Sequence, residues 1–133
     1  MTKLRQNPAL SAIAIIGYLS GYPAEAHHSV AATFDLTRSM TIVGILTGLD
    51  WRNPHSEFIV ETEEANGAVK AWLIQGSSVS RLQRQNFTKG DFDDAVGQVV
   101  TVEVHPAKEG SRYGALAVQV VLPDGRIAIL NSD

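Results

Sequence analysis

Apolar and polar residues alternate with period two over most of the chain that follows residue 26. Such alternation marks half-buried β-strands. Met40 to Trp51 is rich in Ile, Val, Leu and Thr, with Gly44 and Gly48 spaced as bend or bulge positions in one long curved strand. Glu57 to Glu63 alternates cleanly, with Phe58, Val60 and Thr62 on one face and Glu57, Glu61 and Glu63 on the other. Asn66-Gly67 is a hairpin turn, since both residues tolerate positive φ, and Val69 to Gln75 is the returning strand. The alternation then lapses. Ser77 and Ser78 offer a helix cap, and Val79 and Leu82 share one side of a short helix that Lys89-Gly90-Asp91 is expected to break. Gln98 to His105 resumes period two, with Val100, Val102 and Val104 inward and His105 on the outward, solvated register. Ala115 to Leu122 is expected to place Leu116, Val118, Val120 and Leu122 on one face. Pro123-Asp124-Gly125 turns the chain into a last short strand, Ile127 to Leu130.

Three strands, a helix and two or three more strands predict an all-β protein with one short helix. The element order is that of an OB-like, five- to six-stranded, partly open barrel, because a glycine-bent first strand can serve both halves of such a barrel. A β-sandwich is the alternative architecture.

The first 26 residues read differently. Lys3 and Arg5 precede an apolar run from Ala9 to Tyr22, Pro23 ends it, and Ala24-Glu25-Ala26 has the small residues that signal peptidase reads. The expectation is a signal peptide over 1–26 and a single domain over 27–133, periplasmic or secreted, with no stable membrane anchor after processing. Cleavage would leave 107 of the 133 residues, and would take the 11 basic and 14 acidic residues to 9 and 13, a net charge of −4. That balance argues against nucleic-acid binding, which needs a basic face. The chain has no cysteine, so no disulfide assists the fold.

Five segments together resemble an uncharacterised family of small bacterial periplasmic proteins, a domain of unknown function. They are Ala26-His27-His28-Ser29, Trp51-x-Asn53-Pro54-His55, Lys89-Gly90-Asp91, Pro106-Ala107-Lys108-x-Gly110 and Leu122-Pro123-Asp124-Gly125-Arg126. The chain departs from the family pattern at Val30, where the family has Phe, and at Phe87, where it has Trp. The resemblance implies an exported bacterial protein and no particular activity.

Two constellations carry candidate chemistry. Cleavage after Ala26 would give His27 a free α-amine beside its own imidazole, and the two close a chelate ring on a metal. A further imidazole, from His55, His28 or His105, would complete three nitrogen donors suited to Cu(II). His55 is favoured because Asn53-Pro54 imposes a turn that would hold it rigidly. This resembles the local histidine-brace motif of exported copper proteins. Against it, paired histidines after a cleavage site can be a plain tail, and His55 can cap a backbone carbonyl. The second constellation is the loop pole flanking an OB-like ligand face, where Trp51, Arg52, Lys108, Arg112 and Tyr113 would bind a small anionic or aromatic ligand or a periplasmic protein partner. In the plainer alternative, Trp51 plugs the barrel end and the charges only keep the loops soluble.

No nucleophile-elbow sequence, cysteine nucleophile or zinc-type spacing is present. The chain is therefore expected to be a binding protein rather than an enzyme, with copper as its possible cofactor. A metal-free accessory subunit or adaptor on a larger exported protein is the main alternative, and a copper-dependent oxidation the weaker one.

Overall fold

A computed structural model describes residues 30–131. A helical turn at 30–33 leads into β1 (Met40–Asp50), β2 (Glu57–Glu63) and β3 (Val69–Gln75). Then come α1 (Val79–Arg84), α2 (Lys89–Asp93), β4 (Val99–Pro106), β5 (Ala115–Val121) and β6 (Ile127–Ile129). The first strand pairs antiparallel with both β2 and β4. β3 continues beyond β2, and β5 beyond β4. A short parallel pairing of Ile74 with Ala115 and Gln75 with Leu116 joins β3 to β5 and closes a five-stranded barrel. The same edge of β5 receives β6 further along, so one edge carries two neighbours in succession. The fold is the OB-like barrel read from the element order, with a sixth strand appended.

Side-chain parity builds the core. Ile42 and Leu46 of β1, Phe58 and Val60 of β2 and Val100, Val102 and Val104 of β4 all point inward, while Leu82, Phe87 and Phe92 fill the barrel from the helical segment. Phe92 sits at the centre of an aromatic cluster, 5.4 Å from Trp51, 5.6 Å from Phe58 and 5.8 Å from Phe87 between ring centroids. Of the two glycines of β1, Gly48 borders the expected bulge, whereas Gly44 serves close strand approach. The ladder to β2 shifts register between Leu46 and Gly48. At Gly44 a Cβ would collide with the backbone carbonyl of Glu61, so only glycine lets β1 and β2 approach this closely.

Three local expectations are corrected. Lys89-Gly90-Asp91 does not break a helix but forms the first turn of a second one. Thr88 caps it and Asp91 returns the bond, a reciprocal capping box. In β5, Val118 is an extra residue that shifts the ladder to β4, and parity flips across it. Ala115 and Ala117 therefore face the core before it and Val120 and Leu122 after it, rather than Leu116 and Val118. His105 holds its outward register but is buried, because the segment before β1 crosses over it. Its Nδ1–H donates to the carbonyl of Arg38 at 2.6 Å, and Asp35 N–H donates to the carbonyl of Pro106.

Candidate functional site

The loop from β1 to β2 (residues 51–56) is fixed at three points. The Trp51 ring packs on Phe92, the Asn53 side-chain carbonyl accepts from the first N–H of α1 at Val79, 3.0 Å away, and Ser56 is fully buried. Ser56 donates both its N–H and its hydroxyl to the carbonyl of Ser77, each at 2.8 Å. Asn53 and Pro54 are joined by a cis peptide bond. His55 projects from this anchored loop into solvent and takes no part in its hydrogen bonds.

Beside the loop stands Glu57, the first residue of β2. Period two places it outward, yet it is only 9% exposed, because the loop from β4 to β5 (residues 107–114) folds over it. One oxygen, Oε1, accepts from Arg52 at 2.8 Å, from the Tyr113 hydroxyl at 2.7 Å and from Arg112. The Arg112 guanidinium stacks over the Tyr113 ring, and Arg52 makes a second ion pair with Asp50. Burial alone would push the Glu57 carboxyl up. The hydrogen bonds from Tyr113 and Arg52 and the charges of Arg112 and Arg52 outweigh it, so the carboxyl is held below its ordinary range. Burial and the bond to Glu57 raise the Tyr113 phenol in turn, which keeps it a donor. The two basic and two acidic groups cancel, leaving a pole of guanidinium, phenol and carboxylate with little net charge.

Of the residues expected at this pole, Arg52, Arg112 and Tyr113 converge. Trp51 and Lys108 do not. Trp51 turns to the barrel end, and Lys108 holds the entering chain: its Nζ donates to the Ala31 carbonyl and its N–H to that of Thr33. Phe34 pairs with Ala107 and lies 6.0 Å from Tyr113, ring to ring. The root of the N-terminal segment is thus fastened to the same loop that covers Glu57. The burial of Glu57 was not legible, because alternation marks it as solvated.

A second charged group lies at the other helix. Arg126 donates to Asp91 at 2.6 Å and Asp124 at 2.7 Å, and its guanidinium lies 5.0 Å from the Phe87 ring centroid. The Arg126 bond and the two from Thr88 hold the Asp91 carboxyl down at about 2. A cavity of about 360 Å³ opens here among Asp94, Ala95, Gln98 and Pro123. The Lys89-Gly90-Asp91 and Leu122–Arg126 motifs therefore meet as a structural clasp.

Among the described residues, no three His, Asp or Glu side chains are grouped to hold a metal, and no helix is long and apolar enough to cross a membrane. His27 and His28 lie outside the described residues. No curated protein and no solved structure matches the chain. A model of a family of unknown function, DUF6152, matches residues 17–117, which takes in four of the five motif segments and ends before Leu122. Most of the chain is matched, and the protein belongs to this family, DUF6152.

Proposed function

We propose that this chain is a small exported binding protein that holds a Cu(II) ion at the pole of the 51–56 and 107–114 loops. The donors are the α-amine and imidazole of His27 and the imidazole of His55, with His28 as the alternative third donor. One observation carries the reading. The chain enters the fold on the 107–114 loop, and Tyr113 of that loop reaches Glu57, two residues from His55. His27 is three residues before Val30, a reach of roughly 10 Å for an extended chain. A span of that length, starting from the 107–114 loop, supports a meeting of His27 with the loop that carries His55.

The surroundings suit a cation. Arg52 and Arg112 are neutralised by Asp50 and Glu57, so the pole does not repel a positive ion. Two imidazoles and an amine form a nitrogen set matched to the tetragonal preference of Cu(II). Anchoring by Ser56 and Asn53 limits the entropy lost when His55 binds.

The reading depends on cleavage after Ala26. The test is calorimetric titration of Cu(II) into the chain beginning at His27 and into the same chain with that α-amine acetylated. Acetylation removes the chelating amine and adds no new donor, so affinity should fall by about tenfold or more, equivalent to 1.4 kcal/mol. Equal affinity in the two forms, or none in either, overturns the proposal.

A further inference from the structure

The outer face of the barrel carries several exposed apolar side chains. Outward-pointing Val43 and Ile45 of β1, Ile59 of β2 and Val99 of β4 are all exposed, Val43 at 57% and Val99 at 54%. The ladders place them side by side: Ile45 is opposite Val99, Val43 is opposite Thr101, and Ile59 is opposite Gly48. Thr101 in turn pairs with Val121, which pairs with exposed Ile127, so the apolar surface runs on around the barrel. A contiguous patch of this kind on a barrel of this size marks a contact surface rather than scattered exposure.

Charge says what it contacts. β1, β2 and β4 contain no Lys or Arg. The outward charges bordering the patch are carboxylates: Glu61 directly opposite Ile45, Glu63 on the next outward position of β2, and Glu103 opposite Thr41. Around Val43, Ile45 and Val99, away from Arg52, Arg112 and Arg126, the outward charges are these carboxylates, and a Val and Ile strip bordered in this way complements an apolar stripe flanked by Lys and Arg. We infer that this face docks a partner protein through an amphipathic helix of that composition. The rim would orient the helix and exclude acidic competitors, while the strip would supply buried apolar area. The surface adjoins the loop pole only at Ile59, the next outward residue of β2 after Glu57.

The probe is a pair of synthetic amphipathic helices with the same leucine stripe, one flanked by lysine and one by glutamate. Added to the isotopically labelled protein, the leucine–lysine helix should shift the amide resonances of Val43, Ile45, Ile59 and Val99. The leucine–glutamate helix should bind about tenfold or more weakly, because like charges meet at the rim. A variant carrying Glu61→Lys and Glu103→Lys, both at partly exposed positions, should reverse the preference. Val43→Asp should abolish the shifts without altering the fold, as a retained amide spectrum would show. Equal binding of the two helices, shifts confined to other surfaces, or a preference that survives charge reversal overturns the inference. So does sedimentation as a dimer that Val43→Asp dissolves, since the face would then belong to a second copy.

Discussion

Glu57 stands where alternation puts a solvated carboxylate, and three donors from two loops converge on one of its oxygens instead. Removing its charge takes the ionic partner from Arg112 and one of two from Arg52, and leaves the Tyr113 hydroxyl a neutral amide oxygen in place of a carboxylate. Glu57→Gln is expected to cost about 1–3 kcal/mol in denaturant unfolding, the range for losing charge-assisted hydrogen bonds at a buried site. The pH dependence has a definite sign. The folded carboxyl ionises more readily than the unfolded one, so its contribution is complete above the ordinary glutamate range. It is lost as pH falls through the folded value. Asp91 follows the same rule in a known window. Its stabilisation is present above about pH 4, the ordinary aspartate value, and fades toward about 2. Unfolding midpoints measured across this range should fall steeply with acidification in the native chain and less steeply in Asp91→Asn. Parallel curves would show that Asp91 is not coupled to folding.

Two devices at the level of the strands decide whether the barrel closes correctly. Gly44 allows β1 to approach β2, and a methyl group there meets a backbone carbonyl that cannot rotate away. Gly44→Ala should therefore destabilise by about 1–3 kcal/mol, the usual cost of overpacking. β6 is a three-residue strand whose end is clamped by one side chain. Gln85 Nε2 donates to the Ile129 carbonyl at 2.7 Å, and Gln85 Oε1 accepts from Ile129 N–H at 2.9 Å. Gln85→Ala should speed hydrogen exchange at Ile129 while leaving the β1–β2 amides protected. Unchanged exchange at Ile129 would assign the edge's protection to the β5 ladder alone. The bounds of β2 and β3 and the positions of the two β1 glycines were legible, because they rest on period two and on turn chemistry within a few residues. What was not legible needs information from elsewhere in the chain. The Val118 bulge is a register choice made against β4, and the burial of His105 and Glu57 depends on segments that fold over them from a distance. The capping box at Thr88 and Asp91 is local and was readable, but Gly90 between them pointed to a break.

Over the whole molecule, the family motifs divide by task. Asn53, Lys108, Asp91 and Arg126 bind loops, helix caps and the entering chain to the barrel. His55 belongs to a motif, yet it joins none of the hydrogen bonds that anchor its own loop. That contrast makes the loop pole the place to look for a ligand, with the barrel as its rigid support and the outer face of β1 as a second surface. In the proposed site an imidazole from the 51–56 loop and the first residue of the processed chain share one ion. Pulsed EPR of the Cu(II)-loaded chain beginning at His27 reads the nitrogen ligands directly. Two imidazole couplings and an amine coupling are expected, with one imidazole lost in His55→Ala and the amine lost when the α-amine of His27 is acetylated. A spectrum unaltered by His55→Ala would contradict it.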